Sequence, residues 1–405
     1  MTSTMPAQLQ RTALAFAAFF LLLCSYYILR PVRDEMAVQS GVGRLQWLFT
    51  ATFVLTLVIV PVFGWVVKRL PRSRVLPAVY GFLVLNIVAF YLAFRAGITV
   101  AGAAAFFVWL SFFVMFAVSI FWSRLADSFT KEEAHRLYGY VAAGGTAGAL
   151  AGPALTALLA RGLGTANLLA LSAVLLALAT ACMVALGRLR SVQDPSLDKP
   201  VGGSALAGIG LAMKVKSLRG IAVLVVCYTL VSTFTYVEIV DLAGRTYADS
   251  GERTAFFARL DLAVNGLALA IQLLVTRRVV ERFGLATALT LVPAVILASL
   301  AALAAWRALA MFAAVQVMHR AGEFAMSKPG REMVYTVVDA ESRYKAKNFI
   351  DTAVYRAGDA ASAWAMTALK AAQLDTLLIA GVPAAIGWLV SSYYVGKRHD
   401  RNEPA

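Results

Sequence analysis

The stretch from residue 341 to residue 359 carries the side chains with the clearest capacity for chemistry. It opens as a basic segment and continues into an apolar segment that still holds ionisable groups. These groups are Arg343, Lys345, Lys347, Asp351, Arg356 and Asp359. Charges inside an apolar segment are costly, and those that persist usually face a water-filled cavity or a partner of opposite charge. The pattern therefore predicts a place where a polar solute meets an otherwise apolar protein.

Two arginines near the N-terminus form a second chemical pattern. Arg30 and Arg33 are three residues apart, so on a continuing helix they share one face. Pro31 lies between them and can kink the helix. One interpretation is that both arginines close the outer end of a membrane helix and extend to the interface. The other is a guanidinium pair, which suits bidentate binding of phosphate or carboxylate.

Carboxylates in later apolar segments could pair with the arginines, carry protons or lie near a water-exposed helix end. Glu238 lies deeper in its segment than Asp241 and is the better candidate for coupling or gating. Asp261 belongs to a polar stripe along one helix face. Arg320 and Glu323 are three residues apart, and mutual pairing is the usual way in which such charges are tolerated. The residues assigned to coupling or gating are Glu238, Asp261, Asp351, Asp359, Arg320 and Glu323.

The composition is that of an integral membrane protein. Of the 405 residues, 60% are hydrophobic and 15% are charged, and the mean hydropathy is +0.74. A soluble domain is nearer about half apolar and about a quarter charged. The net charge of +15 is concentrated in short loops between apolar runs, where basic residues set membrane topology. No nucleic acid is therefore expected as a partner.

The sequence also excludes several functional classes. The three cysteines lie inside apolar runs without a CxxC pair, and the three histidines are far apart. Neither a disulfide framework nor a metal site is expected from this pattern. There is no GxSxG motif, no phosphate-binding P-loop and no cysteine–histidine nucleophile pattern. We predict a protein that is not an enzyme and that needs no cofactor.

The predicted fold class is an all-α integral membrane protein with twelve transmembrane helices. A helix needs about 20 mostly apolar residues to cross a membrane. The spans predicted by this rule lie at about 12–29, 46–67, 75–94, 101–123, 138–160, 167–187, 220–241, 256–276, 285–305, 308–327, 348–369 and 376–395. The first is expected to be an uncleaved helix, because charged residues rather than a small-residue cleavage pattern follow it. Small residues in the fifth span predict close helix packing, with glycine-dependent bending as the alternative.

Basic residues and the longest polar interruption predict the topology. About two thirds of the 37 lysines and arginines lie in loops on the side of the N-terminus, so both termini are expected in the cytoplasm. A linker at 191–218 with turn-forming residues divides the chain into six-helix bundles at 1–190 and 219–405. Short segments recur between these bundles at a nearly constant offset. Two such pseudo-symmetric bundles are the major facilitator architecture, with a substrate site near the midplane between them.

Two motifs carry a family resemblance. Residues 27–34 read YILRPVRD, and residues 331–333 read REM, followed by RYKAKNFID at 343–351 and then Arg356. They resemble the first-helix and eleventh-helix patterns of the nucleotide transporter family, the ATP/ADP translocases of plastids and intracellular bacteria. The resemblance implies a major-facilitator-like carrier that exchanges nucleoside triphosphate for diphosphate or takes up nucleotides. The phosphate-binding residues that it implies are Arg30, Arg33, Lys345, Lys347 and Arg356.

The chain departs from that family in its shorter length and in Arg33, where the family often has lysine. Tyr27, beside the first arginines, is an aromatic side chain that could stack on a base or sugar. Asp351, Asp359 and Glu238 would hold the basic side chains in register when the solute is absent.

These features predict a monomeric, multi-pass carrier of the inner membrane that works by alternating access. Its expected partners are the lipid bilayer and a small anionic, phosphorylated solute, with a nucleotide as the first choice. One alternative is a proton-coupled facilitator for another organic solute, with Glu238, Asp261 or Asp359 as the proton carrier. A second alternative is a non-exchanging membrane protein that handles lipid or serves as a scaffold.

Overall fold

The computed structural model describes residues 5–69, 72–189, 215–336, 347 and 349–401. Lys345 of the predicted site lies outside these residues, as do Arg343 and the predicted linker up to residue 214. Every regular element within the described ranges is a helix. The all-α prediction is therefore confirmed.

Twelve helices follow one another along the described residues, at the twelve predicted positions. The first six are α1 (Met5–Ser40), α2 (Leu45–Arg69), α3 (Arg72–Arg95), α4 (Val100–Ala126), α5 (131–163) and α6 (165–188). The others are α7 (Lys216–Thr246), α8 (250–283), α9 (285–305), α10 (309–335), α11 (350–371) and α12 (Leu377–Asp400). Eight described segments are long and apolar enough to span a membrane, and two of these are the continuous α5–α6 and α8–α9 segments. The more highly charged α10 and α11 are not in that set.

Two glycines divide the longest helical segments. Gly164 has a φ of 73° between α5 and α6, and Gly284 has a φ of 80° between α8 and α9. A residue with a Cβ rarely adopts this left-handed conformation, so glycine permits the change of direction. The start of α9 is capped by Asp400 of α12, whose carboxylate accepts hydrogen bonds from the amides of Leu285 and Ala286, both at 3.0 Å.

Four helices contain a wide, π-type turn. These turns are Gln272–Thr276 in α8, Glu323–Ser327 in α10, Ile350–Val354 in α11 and Leu377–Gly381 in α12. Such turns interrupt the regular hydrogen bonding of a helix and are frequent at functional sites. The turns of α8 and α10 are joined, because the Gln272 amide and the Thr276 hydroxyl donate to the Phe324 and Ala325 carbonyls at 3.1 and 2.9 Å.

The chain divides into two compact units. Unit 1 comprises Met1–Ser40, Ile59–Pro200 and Tyr247–Leu262, and unit 2 comprises Gly41–Val58, Val201–Thr246 and Ala263–Ala405. Unit 1 thus includes the first part of α8, and unit 2 includes the first part of α2. The division into six-helix bundles at 1–190 and 219–405 stays a prediction.

Unit 1 is organised around the contact of α1 with α5. A Cβ added to Gly144 would lie 2.6 Å from the carbonyl oxygen of Phe16, and one added to Gly152 would lie 2.7 Å from that of Cys24. The two backbones are therefore in direct contact, as small residues permit in a membrane. This confirms the close packing predicted for the fifth span.

The core of unit 2 contains a group of aromatic rings. Trp388 of α12 is fully buried, and its ring lies 5.5 Å from that of Tyr228 in α7 and 5.2 Å from that of His319 in α10. The Tyr228 and His319 rings stack at 4.8 Å. Aromatic pairs at such separations contribute about 0.5–1.5 kcal/mol each beyond their burial. This group fixes α10 next to α7 and α12 and so positions the charged residues of α10.

Candidate functional site

The predicted arginines of α1 lie inside the helix and not at its end. The first span was predicted to end at residue 29, but α1 continues to Ser40 through Pro31. The side chains of Arg30 and Arg33 are only 15% and 17% exposed. The interpretation of a helix-end pair is therefore wrong. Hydropathy falls at Arg30, but the helix continues because partners elsewhere in unit 1 compensate the charges.

Arg30 has one carboxylate partner and remains incompletely bonded. Its Nη1 lies 3.4 Å from Oδ1 of Asp261, a fully buried residue of α8 within unit 1. The guanidinium carbon lies 5.9 Å from the ring centre of Tyr27. The Nε of Arg30 has no hydrogen-bond partner among the described residues. The structure thus brings together three predicted site residues, Arg30, Asp261 and Tyr27. Of the acids that were expected to pair with the arginines of α1, Asp261 pairs with Arg30.

The neighbouring charges on α1 are tightly bonded. Arg33 donates to Asp34 at 2.7 and 3.0 Å. Glu35 is completely buried and accepts two bonds from Arg253 of α8, at 2.6 and 2.9 Å. Arg253 also donates to the carbonyl oxygens of Tyr247 and Ala248. The sequence reasoning missed the Glu35–Arg253 pair, because 218 residues separate its members and no local spacing joins them.

Arg356 of α11 repeats in unit 2 the situation of Arg30 in unit 1. Its Nη1 lies 3.5 Å from Oδ2 of Asp359, one helical turn later, and its side chain is 28% exposed. The guanidinium carbon is 5.7 Å from the ring centre of Tyr355. Asp359 is buried and accepts a 3.3 Å hydrogen bond from the hydroxyl of Thr233 in α7. Arg356 is therefore partly exposed and lies beside a carboxylate that accepts a hydrogen bond from a second helix.

The buried charges of α10 include a partner that was not predicted. Glu323 forms its 2.7 Å ion pair with Arg331, two turns further along α10, and both residues are buried. The sequence had suggested Arg320 as its partner. The wide turn at Glu323–Ser327 changes the helical register, so a spacing rule for regular helices does not identify which side chains meet. Arg320 is also buried in this part of α10.

Lys347 and Asp351 precede Arg356 in the chain. The Nζ of Lys347 lies 2.6 Å from Glu332 and 5.8 Å from the ring centre of Tyr335. Asp351 belongs to the wide turn of α11 and interacts electrostatically with Arg331 and Lys347. Lys347 thus already has a carboxylate partner in Glu332.

Glu238 belongs to a different part of unit 2. It forms a 2.6 Å ion pair with Lys370 of α11 beside a cavity of about 410 Å³. The cavity is also lined by Arg307 and by Asp375, which pair with each other in the loops after α9 and α11. The hydrogen bond from Arg307 holds the pKa of Asp375 below its ordinary value. Among the described residues, no ion pair or hydrogen bond joins Glu238 to Arg356 or Asp359. Its coupling role stays a prediction.

Five arginines that pair with carboxylates fall into two groups by the length of the contact. In Arg33, Arg253 and Arg331 the contact to a carboxylate is 2.6 to 2.7 Å, the length of a strong charge-assisted hydrogen bond. In Arg30 and Arg356 it is 3.4 and 3.5 Å. Each arginine of the first group has a strong internal ion pair, although Nη1 of Arg331 has no hydrogen-bond partner among the described residues. The second group keeps donors that an anionic oxygen could engage.

Comparisons with known proteins identify the family of this chain and proteins of similar fold. The model of the Major Facilitator Superfamily matches residues 15–344, and no curated protein sequence matches the chain. A bacterial homologue of the iron transporter ferroportin in an inward-facing state is similar in structure, with a TM-score of 0.70, 14% identity and coverage of 98% of this chain and 100% of that one. The POT family transporter PepTSo is similar with a TM-score of 0.65, 14% identity and coverage of 97% and 98%. The nucleoside transporter NupG is similar with a TM-score of 0.59, 12% identity and coverage of 98% and 99%. At such identities the likeness concerns the fold alone.

Proposed function

The chain belongs to the Major Facilitator Superfamily and is a multi-pass membrane transporter, and we propose that its solute is an organic anion, with a nucleotide as the first candidate. The proposal includes alternating access between six-helix bundles at 1–190 and 219–405. It also includes residence in the inner membrane with both termini in the cytoplasm, which the distribution of basic residues favours. The carrier would bind a small solute through the phosphate or carboxylate groups of that solute.

The observation that carries this proposal is the incomplete bonding of Arg356. Its guanidinium is partly exposed, lies 3.5 Å from Asp359, and makes no hydrogen bond to the described residues. A guanidinium in a low-dielectric setting gains most from planar acceptors that take two parallel hydrogen bonds, which phosphate and carboxylate provide. An anion could therefore complete the bonding of Arg356 where Asp359 does not.

Arg30 supports the same proposal independently in unit 1. It too faces a carboxylate beyond strong hydrogen-bond distance, and its buried Nε has no partner among the described residues. A buried donor without an acceptor costs about 1–3 kcal/mol. Retaining that cost in Arg30 is easier to explain if a ligand supplies the acceptor during part of the transport cycle.

Aromatic rings beside both arginines favour a solute that also has a flat ring. Tyr27 lies next to Arg30, and Tyr355 next to Arg356. Tyrosine rings can stack on a nucleobase while the arginines bind phosphate. Combined with the two motifs that resemble nucleotide transporters, this arrangement makes ADP and ATP the first probes. The resemblance also implies a phosphate-binding role for Lys345, Lys347 and Arg33, which we keep as part of the proposal.

The test is exchange of labelled ADP in proteoliposomes that contain unlabelled ATP or ADP. Arg356→Gln and Arg30→Gln should each weaken saturable uptake by about 10- to 100-fold, which corresponds to the loss of a charge-assisted hydrogen bond of about 1.5–3 kcal/mol. The matched control is Arg277→Gln, because Arg277 is 84% exposed and pairs with Glu281 on the surface of α8.

Two results would contradict the proposal. If a well-folded wild type exchanges none of a panel of nucleotides, sugar phosphates and dicarboxylates, the anion is the wrong solute class. If Arg356→Gln transports as well as Arg277→Gln, the loosely paired arginine does not bind the solute.

A further inference from the structure

Two neighbouring cavities lie at one end of unit 2, where α7 and α11 end and α2 and α12 begin. The larger, of about 410 Å³, is the cavity beside Glu238. The smaller, of about 240 Å³, lies between the start of α2 and the last turns of α7 and α11. Asp241, Arg245 and Lys370 line both cavities. The two cavities therefore adjoin, and these three charged residues lie where they meet.

The charges that line these cavities balance. The bases and acids form the ion pairs Arg245–Asp241, Arg307–Asp375 and Lys370–Glu238. All three bases are partly exposed. An ammonium has three N–H donors and a guanidinium has five, so each pair leaves donors for a second acceptor. A simple anion would also meet the carboxylates, so the lining fits a ligand that carries both signs of charge.

Gln46 of α2 adds a buried acceptor to the smaller cavity. Its side chain is 6% exposed, and its amide nitrogen donates to the carbonyl oxygen of Gly43 at 2.7 Å. Because that carbonyl can only accept, the orientation of the side-chain amide is fixed. The other amide atom, Oε1, is buried and has no hydrogen-bond partner among the described residues. A buried acceptor of this kind is costly, and a ligand with an N–H donor would remove that cost.

We propose that the two cavities bind a phosphoethanolamine group, which is a primary ammonium joined to a phosphate by a short carbon chain. The ammonium donates to Oε1 of Gln46 in the smaller cavity, where Asp241 supplies negative charge. The phosphate accepts from Lys370, which lines both cavities, and from Arg307, which lines the larger one. These are charge-assisted hydrogen bonds, which are stronger than neutral ones.

Exposed tryptophans indicate that this end of unit 2 lies at the height of lipid headgroups. Trp47 follows Gln46 and is 60% exposed, and Trp306 precedes Arg307 and is 72% exposed. Tryptophan is enriched at the interface between membrane and water. The smaller cavity also has buried apolar lining residues, among them Leu45, which can contact the apolar part of a lipid. Phosphatidylethanolamine is therefore the source of the group that we expect first.

This site is separate from the arginine that is proposed to bind the transported anion. Lys370 follows Arg356 by 14 residues on α11, which is about 21 Å along a helix that rises about 1.5 Å per residue. Binding of the phosphoethanolamine group goes beyond the proposed function and is measured without any nucleotide. Its outcome therefore does not depend on whether the chain transports ADP.

Native mass spectrometry of the purified full chain tests the site with lipids of defined headgroup and identical acyl chains. Phosphatidylethanolamine should bind about tenfold more tightly than phosphatidylcholine, because a trimethylammonium has no N–H to donate to Gln46. Equal affinity for the two lipids would overturn the proposal.

Substitutions of Gln46 separate recognition of the ammonium from damage to the fold. In Gln46→Leu the ratio of the two lipid affinities should fall by about tenfold, whereas damage to the fold would weaken both lipids alike. Gln46→Glu should keep the preference, because a carboxylate also accepts from an ammonium. The matched control is Gln10→Leu, the same replacement at an exposed glutamine of α1. A preference that persists in Gln46→Leu would contradict the proposed role of Oε1.

Lys370 tests the phosphate end of the site. Lys370→Gln should weaken both lipids by about tenfold, because both carry a phosphate, and Lys370→Arg should restore binding. Arg277→Gln, at the exposed arginine of α8, should leave both affinities unchanged. Unchanged affinities in Lys370→Gln would refute phosphate binding at this position.

Soluble O-phosphoethanolamine distinguishes a lipid headgroup from a free solute. If it displaces phosphatidylethanolamine only at a concentration far above that of the lipid, the lipid is the source of the group. If it binds as tightly as the lipid, and Gln46→Leu abolishes that binding, the source is a free phosphoethanolamine compound. Both results support recognition of the same group. Displacement by phosphocholine that is as effective as displacement by O-phosphoethanolamine would overturn the proposal.

Discussion

A single methyl group on α5 should separate the two most closely packed helices of unit 1. In Gly144→Ala the new Cβ would lie 2.6 Å from the carbonyl oxygen of Phe16 and 3.1 Å from its ring. Ordinary contact begins at 3.4 Å, so α1 and α5 must move apart by about 0.8 Å. Overpacking of this kind costs about 1–3 kcal/mol. Because α1 carries Arg30, the same displacement should also weaken solute binding.

Gly139→Ala is the matched control on the same helix. No atom lies within 4 Å of a Cβ at Gly139. Both substitutions remove a glycine from a helix and gain about 0.5–1 kcal/mol in backbone propensity. Their difference therefore isolates the packing cost, and Gly144→Ala should be less stable than Gly139→Ala by about 1–3 kcal/mol. The measurement is thermal unfolding of both purified variants in the same detergent. Equal stability of the two would refute the backbone contact of α1 with α5.

Three further predictions concern charged residues. Glu35→Gln should lower stability by about 3 kcal/mol in denaturant unfolding, because it leaves the Arg253 guanidinium, which is only 13% exposed, without its counter-ion; a loss no larger than that of Glu281→Gln, at an acid that is 61% exposed, would contradict this. Asp400→Ala removes two hydrogen bonds that cap α9, and an increase in amide hydrogen exchange at the start of that helix should report the loss. Asp375→Asn should lower the melting temperature slightly at neutral pH, because an exposed ion pair contributes less than about 1 kcal/mol to the free energy of unfolding. Because Arg307 lowers the pKa of Asp375, this stabilisation is present above the unfolded pKa of about 3.9 and disappears as the pH falls through the folded value; a difference that persists in acid would contradict the pairing.

The helices could be predicted from the sequence because membrane spans are set by local hydropathy and length. The same local signal ended the first span at residue 29, where polarity rises, although α1 continues to Ser40. Local hydropathy contains no information about Arg253, whose ion pair with Glu35 stabilises the charged continuation of α1. Nor could helical spacing identify Arg331 as the partner of Glu323, since a wide turn lies between them. What the sequence lacked in each case was a contact made by tertiary structure.

The charge pairs of this protein suggest how a carrier can bind an anion and still release it. An arginine with no carboxylate nearby would hold a phosphate too firmly, whereas one in a complete ion pair would not bind it. Arg356 lies between these extremes, since Asp359 is close enough to compete for the guanidinium but too far to bond it fully. Thr233 fixes Asp359 in that position.

Asp359→Asn tests this reasoning, because it removes the competing charge while keeping the shape of the side chain. The variant should bind ADP about tenfold more tightly, which corresponds to roughly 1.4 kcal/mol of lost competition. It should also turn over more slowly, because nothing then displaces the anion from Arg356. Equilibrium binding and exchange rate, measured on the same preparation, should therefore change in opposite directions. Weaker binding together with slower exchange would mean that Asp359 only positions Arg356, and competition would not be the basis of release.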